Sequence, residues 1–292
     1  MKNTELIINP DGSVFHLHLK PGDVAQNIIL VGDPGRVDIF EPFLNDIRVR
    51  KENREFRTVT GFYNNEEISV ISTGIGTDNI DIVVNELDAV VNIDLQSGGT
   101  KEELTSLNLI RVGTSGSLRK EIPVGSFLLT ETAIGFDGLL HFYEGYDWLL
   151  DTTLADVLAA HLEWPDTLPY PYAVNASREL LELFQSEKFI RGITISAPGF
   201  YAPQGRKIRL ETFDNEINDK LAAFSFRGRT ISNYEMESSA LYGLAGLLGH
   251  KALTICAVLG NRITGEFIND YKPLIRELAE IVLNKITFAE EI

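Results

Sequence analysis

Two short segments place an arginine beside glycines, a combination suited to binding an oxyanion. They are GDPGR at residues 32–36 and RVGTSG at residues 111–116. Glycine leaves backbone N–H groups accessible, hydroxyl side chains add donors, and a guanidinium group presents a fixed fork of donors. Each segment alone is equally compatible with a turn that carries a solvated arginine. Neither is a P-loop, because the Gly-x-x-x-x-Gly-Lys-Ser/Thr pattern is absent from the sequence.

Two further segments carry groups that could bind a sugar and a flat heterocycle. NYEMES at residues 233–238 contains two carboxylates, which can accept hydrogen bonds from sugar hydroxyls. We expect both in the first turn of a helix, whose dipole favours their ionised form. FYAPQGR at residues 200–206 combines an aromatic ring, an amide and a guanidinium group. Taken singly, Glu235 is better explained by helix capping, Met236 by core packing, and the 200–206 segment by a polar loop.

Other chemistries find no support in the sequence. The five histidines show no spacing typical of metal ligands, so we predict no catalytic transition metal. No Gly-x-Ser-x-Gly nucleophile segment occurs, and TGIG at residues 73–76 lacks the third glycine of a dinucleotide fingerprint. Cys256 lies within an apolar run and is expected to be inert core.

The composition restricts the partners that the chain could bind. Its 292 residues include 26 Lys and Arg against 42 Asp and Glu, a net charge of −16. This balance disfavours nucleic acids and anionic membranes, because both are bound through basic side chains. No apolar run reaches the ~20 residues of a membrane-spanning helix, and the first residues do not form a secretory signal. The single cysteine suits a reducing compartment, so we predict a cytoplasmic protein.

The elements that position these groups are predicted from a recurring pattern of an apolar run, a glycine-containing turn and a helical stretch. Near-continuous apolar runs indicate strands buried on both faces of a parallel or mixed sheet. Ligands bind at the carboxyl ends of the strands in open α/β sheets, so we expect the turns to form one site. The predicted strands and turns are 27–31 with 32–35, 68–72 with 73–76, 109–112 with 113–116, 192–195 with 196–199, and 252–258 ending near Gly260.

Three helices are predicted from periodicity and capping signals. Residues 79–91 follow a helical pattern, and Ser232 with Glu235 has the spacing of a capping box that opens a helix to about Leu248. The last helix is expected to start near Pro273, where proline is tolerated in the first turn. Residues 92–107 and 145–172 show the weakest pattern and are expected to be surface excursions. One domain is therefore favoured over two.

Taken together, these motifs resemble the nucleoside phosphorylase family, specifically its uridine phosphorylase branch. The resemblance implies that residues 1–292 form a single nucleoside phosphorylase-like α/β domain. Its central mixed β-sheet would be partly barrel-like and flanked by helices. The segments that carry the resemblance, in matching order, are FHL (15–17), VGDPGR (31–36), REF (54–56), STGIG (72–76), IRVGTSG (110–116), FYAPQGR (200–206), NYEMES (233–238) and NR (261–262).

The resemblance also implies an activity and a set of site residues. The activity is the reversible phosphorolysis of uridine to uracil and ribose 1-phosphate, a pentosyltransferase reaction of nucleoside salvage and catabolism. Phosphate would be bound by Gly32, Arg36, Arg111 and Thr114, and by Arg54 of a neighbouring subunit. The nucleoside would be bound by His16, Phe200, Gln204, Arg206, Glu235, Met236, Glu237 and Arg262, with His16 reaching the ribose across the interface. The catalytic residues among them would be Arg36, Arg111, Gln204, Arg206 and Glu237.

The same resemblance implies a homo-oligomer with shared sites, at least a dimer, and no cofactor other than phosphate as co-substrate. It does not choose between a dimer and a hexamer. It also leaves open the use of 2′-deoxynucleosides and the presence of a monovalent cation near Glu55 between subunits.

The base preference depends on one stretch of sequence. Purine-directed relatives carry an aspartate after the strand that follows the ribose-binding helix, whereas the corresponding stretch here is VLGNR at residues 258–262. The absence of an acid there, together with Gln204 and Arg206, favours a pyrimidine. A purine nucleoside phosphorylase of the same fold is the first alternative, followed by a nucleoside hydrolase and a non-catalytic nucleoside-binding protein. The two arginines argue against a hydrolase, because water needs no guanidinium clamp.

Overall fold

A computed structural model describes residues 4–288 and shows a mixed β-sheet surrounded by helices. The strands are β1 (Asn27–Val31), β2 (Asn45–Asn53), β3 (Phe56–Tyr63), β4 (Glu66–Ser72), β5 (Ile93–Asp94), β6 (Gly99–Thr100), β7 (Asn108–Ser117), β8 (Phe127–Gly135), β9 (Tyr172–Asn175), β10 (Phe189–Ser196), β11 (Ser225–Phe226), β12 (Arg229–Glu235) and β13 (Lys251–Asn261). The α-helices are α1 (Pro34–Phe40), α2 (Thr77–Asn92), α3 (Thr152–Leu162), α4 (Arg178–Leu183), α5 (Ile217–Ala223), α6 (Ser238–Leu247) and α7 (Lys272–Thr287).

Five of the strands close into a barrel. β7 pairs with β13, β13 with β8, β8 with β10, and β10 with β12. β12 returns to β7, where Tyr234 lies opposite Gly116 and closes the ring. From β7 the sheet continues through β1, β4, β3 and β2 as an open part. The structure confirms the predicted α/β fold with a mixed, partly barrel-like sheet and flanking helices.

The buried strands and two of the predicted helices form where the apolar pattern indicates them. β1 lies parallel to β4 and β7, and its residues 28–31 are fully buried. α2 buries Ile80, Val83, Val84 and Leu87, which follow helical spacing along one face. α7 begins at Lys272 with a proline in its first turn, as expected. No helix within residues 4–288 is both long and apolar enough to cross a bilayer.

The predicted helix from Ser232 to Leu248 is wrong at its start, because α6 begins only at Ser238. Residues 229–235 form β12, which pairs with β10 and β7, so sheet pairing overrides the local capping signal. A bulge in the β10–β12 register lies at this point, and Ser232 Oγ donates to the carbonyl of Ile193 at 3.0 Å. Glu235 still caps α6, because its carboxylate accepts from the backbone N–H of Ser238 at 3.0 Å. Glu235 and Glu237 therefore lie at the helix start and not within its first turn.

The predicted turn at residues 113–116 is also wrong, because β7 continues to Ser117. Its pairing with β13 runs through this stretch, with Gly113 opposite Cys256 and Thr114 opposite Ala257. Barrel closure supplies hydrogen-bond partners that the local sequence does not reveal. The glycine has another use here, since a Cβ at Gly113 would lie 2.0 Å from Nη1 of Arg111.

The two stretches with the weakest sequence pattern, residues 92–107 and 145–172, differ in how far they are buried. Part of residues 92–107 forms the small, largely exposed β5–β6 hairpin, which agrees with a surface excursion. In residues 145–172 the prediction is wrong in part, because α3 buries Leu154, Leu158 and Leu162. These side chains join the apolar cluster on the barrel, and β9 then pairs with β8. The helix is only eleven residues long, too short to give a clear periodic signal.

Candidate active site

One cavity of about 840 Å³ lies where β1, β4, β12 and β13 end and the middle of β7 passes. The structure brings all but two of the predicted site residues to it; the exceptions are His16 and Arg54. The predicted turns after β1, β4 and β13 also contribute to its lining, and the turn after β10 is followed by Phe200, which does so too. The predicted site residues in the lining are Gly32, Arg36, Arg111, Thr114, Phe200, Gln204, Arg206, Glu235, Met236, Glu237 and Arg262.

Buried polar atoms without partners are concentrated in this cavity. Within residues 4–288, eight buried side-chain nitrogen or oxygen atoms lack a hydrogen-bond partner, and five of them belong to lining residues. An unpaired buried polar atom costs about 1–3 kcal/mol, so such a group of atoms indicates a site kept ready for a polar ligand. The five atoms are Arg36 Nε, Arg111 Nε, Ser115 Oγ, Tyr234 Oη and Arg262 Nε.

Two guanidinium groups enter one end of the cavity from different elements. Arg36 lies in the first turn of α1, where Asp33 caps the helix by accepting from the N–H of Gly35 at 2.9 Å. Its Nη2 donates to Thr114 Oγ1 at 3.2 Å. Arg111 lies within β7 and has a side chain that is 4% exposed. Both residues line the cavity, and their guanidinium groups make this end of it suited to an oxyanion.

Two carboxylates hold Arg111 in place. Its Nη2 donates to Glu237, and its Nη1 lies 3.3 Å from Glu235 Oε2. Burial alone would lower the pKa of Arg111, but the charges of Glu237 and Glu235 outweigh burial and raise it. Glu237 Oε1 also accepts from the backbone N–H of Gly76 at 2.9 Å, at the start of α2. Arg111 is therefore charged at any physiological pH and is fixed between the carboxylates of Glu235 and Glu237.

The opposite end of the cavity combines two more arginines with one amide. Gln204 Oε1 accepts from Arg206 Nη1 at 2.6 Å and from Arg262 Nη2 at 3.2 Å. Because guanidinium groups only donate, the amide oxygen is fixed as the acceptor and the NH₂ group is left as a donor. The Arg206 guanidinium also stacks 3.8 Å from the ring centre of Phe200. Burial and the neighbouring charge of Arg262 lower the pKa of Arg206 to about 10, so it is protonated at neutral pH.

His16 and Arg54 lie outside the cavity of their own chain. The His16 Nδ1 is 2.6 Å from Glu86 Oε1 on α2, and its ring contacts that of Phe15 edge-on. The guanidinium of the exposed Arg54 lies over the same Phe15 ring, 5.9 Å from its centre. The two residues thus share one surface region and do not reach the cavity within one chain.

Sequence reasoning missed several residues of the lining. Ser115 and Tyr234 lie inside recognised segments, so an examination of every polar side chain in those segments would have found them. Burial raises the pKa of the Tyr234 hydroxyl, which is therefore a protonated donor. Glu266 and Phe267 carry no sequence signal, because they reach the cavity through an irregular turn after β13. Asn261 stabilises that turn by accepting from the N–H groups of residues 263 and 264.

Comparison with known proteins shows which family the chain is similar to. The sequence model of the family described as the phosphorylase superfamily matches residues 27–286 of this chain. The chain is 32% identical over 260 residues to a uridine phosphorylase of Thermococcus kodakarensis, covering 88% of this chain and 80% of the relative. It is 29% identical over 272 residues to a DeoD-type purine nucleoside phosphorylase of Bacillus cereus, covering 92% and 97%. A solved Trypanosoma brucei nucleoside phosphorylase, described as showing uridine phosphorylase activity, has a TM-score of 0.86 at 28% identity and covers 97% of this chain and 100% of its own.

Proposed function

This chain belongs to the phosphorylase superfamily, and on that basis we propose that it catalyses the reversible phosphorolysis of uridine to uracil and ribose 1-phosphate. The observation that carries the proposal is the composition of one cavity: the guanidinium groups of Arg36 and Arg111 at one end and the Gln204 cluster at the other. An anion and a neutral heterocycle can be bound together only where such ends face each other. The uridine phosphorylases among the relatives agree with this assignment.

In this mechanism the two arginines bind the attacking phosphate. Breaking the glycosidic bond places positive charge on the sugar carbon C1′ and negative charge on the departing base. Phosphate held beneath the sugar by Arg36, Arg111 and Thr114 stabilises that positive charge. One phosphate oxygen forms a bond to C1′ while the C1′–N1 bond breaks and its electron pair leaves with uracil. Positioning of this kind lowers the barrier without a covalent protein intermediate.

The ribose lies between these groups in the proposal. Glu237 accepts a hydrogen bond from a ribose hydroxyl, because it is a carboxylate in the lining and its geometry is fixed by Arg111 and Gly76. Arg111 therefore contacts the phosphate and orients the carboxylate that binds the sugar. Glu235 stabilises this arrangement, because it caps α6 and contacts Arg111.

The departing base is stabilised by the Gln204 cluster. Gln204 donates through its NH₂ group, and Arg206 donates to a second carbonyl oxygen of the base. Oriented donors in a water-excluded site can each contribute about 3–4 kcal/mol to transition-state stabilisation. Phe200 packs against the base ring, and the hydroxyls of Ser115 and Tyr234 offer further unpaired hydrogen-bonding groups nearby.

One observation favours the purine alternative as a second candidate. The amide of Asn261 is fully engaged, with its Nδ2 donating to the carbonyls of Arg119 and Ile122, so this position does not protonate a purine. The carboxylate of Glu266, however, belongs to a residue that lines the cavity beyond Arg262. The Bacillus cereus relative, a DeoD-type purine nucleoside phosphorylase, supports this second candidate.

We further propose a cytoplasmic homo-oligomer that uses phosphate as co-substrate and no cofactor. The placement of His16 and Arg54 outside their own cavity supports a shared site, which a neighbouring subunit would complete. The buried, lone Cys256 fits a chain that needs no disulfide.

A substrate panel tests the proposed function. Uridine, thymidine, cytidine, inosine and adenosine are incubated with the protein, each with and without inorganic phosphate, and the free base and ribose 1-phosphate are quantified. We expect uracil from uridine only when phosphate is present. Equal release without phosphate would indicate a hydrolase, much faster cleavage of inosine a purine nucleoside phosphorylase, and no cleavage at all a binding protein.

A further inference from the structure

The two arginines at the phosphate end are held in place by different interactions. Arg111 forms ion pairs with the carboxylates of Glu235 and Glu237. Arg36 has no acidic side chain within 4.0 Å in the part of the chain that the structure describes. Its contacts are the Thr114 hydroxyl and the ring of Tyr271, whose centre lies 5.5 Å from its Cζ.

Tyr271 reaches Arg36 from a part of the chain that no phosphate motif includes. It is the last residue before α7, at the end of the irregular segment 262–271. That segment also supplies Arg262 and Phe267 to the base end of the cavity. One stretch of chain therefore connects the two ends of the site.

The surroundings of Arg36 make a restraint necessary. A second cavity of about 680 Å³ adjoins it and is lined in part by Tyr271, Lys272 and Arg276. Arg36 lines both cavities, so its long side chain has space on either side. A flexible arginine loses rotamer entropy when it binds an anion, and any contact that orders it beforehand reduces this loss.

An aromatic ring is suited to this restraint. A ring face within about 6 Å attracts a guanidinium group through its quadrupole but carries no net charge. A carboxylate in the same place would add a further negative charge to the phosphate end, where two carboxylates already contact Arg111. The Tyr271 ring thus orders Arg36 and leaves its full charge available.

We propose that Tyr271 is a positioning residue that orders Arg36 for phosphate binding. This inference rests on the proposed function, because it assigns phosphate to Arg36. None of the recognised motifs includes Tyr271.

The test compares Tyr271→Leu, which keeps apolar bulk but removes the ring, with Tyr271→Phe, which keeps the ring. Steady-state phosphorolysis gives KM for phosphate, KM for uridine and kcat, and calorimetry gives the Kd of inorganic phosphate for the free protein. We expect Tyr271→Leu to raise the KM and Kd for phosphate about 2- to 10-fold, the cost of ordering one long side chain on binding. The KM for uridine should stay within about twofold, and Tyr271→Phe should match the wild type.

A double-mutant cycle separates positioning from a structural effect. In the Arg36→Ala background, Tyr271→Leu should leave the Kd of phosphate unchanged, because the ring then has no guanidinium group to order. Equal rises of both KM values, an unchanged phosphate Kd in Tyr271→Leu, or a loss in Tyr271→Phe equal to that in Tyr271→Leu would each overturn the inference. A wild-type protein that neither binds phosphate nor cleaves uridine would instead contradict the proposed function.

Discussion

At the base end of the cavity, Arg206 and Arg262 donate to the same amide oxygen of Gln204. This arrangement concentrates positive charge where the departing base acquires negative charge, and it orients the one neutral donor among them. The phosphate end uses the opposite arrangement, in which carboxylates compensate Arg111. Gln204 and Arg111 thus each have partners that determine which of their groups can face the substrate.

Replacement of Gln204 should impair the use of uridine and leave the use of phosphate almost unchanged. We expect Gln204→Ala to lower kcat/KM for uridine about 10²-fold, since one oriented donor to the departing base is lost. The KM for phosphate should change by less than about threefold, because Arg36 and Arg111 keep their contacts.

Gln185→Ala is the matched control, because Gln185 is exposed and lies outside the cavity. It should have wild-type kinetics. A Gln204→Ala variant that weakened phosphate and uridine use equally would contradict the assignment of Gln204 to the base.

Among the secondary-structure elements, those with long apolar runs were predictable and those defined by sheet closure were not. β1, α2 and α7 form where burial and periodicity indicate them. The end of β7 and the whole of β12 depend on pairing with strands that are distant in the sequence, such as Gly113 with Cys256 and Ile195 with Tyr234. Such contacts override the turn and capping signals at Gly113 and Ser232, because local sequence carries no information about a distant partner strand.

The residues of the candidate site also divide into those that the sequence predicts and those that it does not. Arg36 and Arg111 were predictable because Arg36 lies in a recognisable segment after a buried strand and Arg111 in one that forms a buried strand. Tyr271 and Glu266 were not, because an irregular segment brings them to the site from beyond the last strand. Only the folded path of that segment shows that its residues contact both ends of the cavity.

The helix that periodicity missed, α3, should be essential to stability. Leu158 is fully buried in the cluster that covers the barrel. Leu158→Ala should lower the free energy of unfolding by about 2–5 kcal/mol, through lost burial and the cavity left behind. Chemical denaturation followed by circular dichroism measures the change.

Val157→Ala, one residue earlier on the same helix, is the control because Val157 is 41% exposed. It should change stability by less than about 0.5 kcal/mol. Equal effects of the two substitutions would mean that α3 does not pack on the barrel as described.

At the scale of the whole molecule, we propose a site that is shared between two chains. The cavity contains the proposed phosphate and base groups, whereas His16 and Arg54 are not among its lining residues, although Glu55, next to Arg54, is. In the proposed two-fold symmetric assembly, His16 and Arg54 of one chain would complete the cavity of the other. The proposed functional unit is therefore at least a pair of chains.

Complementation between inactive variants tests this shared site. Arg54→Ala and Gln204→Ala are each expected to be strongly impaired, but a mixed dimer contains one site with both residues intact. Co-expression of the two variants should restore roughly a quarter of the wild-type activity, because half of the dimers are mixed and half of their sites are complete. Activity no greater than the average of the two variants would show that each chain works alone.

The central claim is that Arg36 and Arg111 bind the same inorganic phosphate. A crystal structure of the protein with phosphate measures this directly. The account predicts one anion within hydrogen-bond distance of both guanidinium groups and of the Thr114 hydroxyl. Phosphate bound elsewhere, with the Arg36 and Arg111 side chains directed apart, would contradict it.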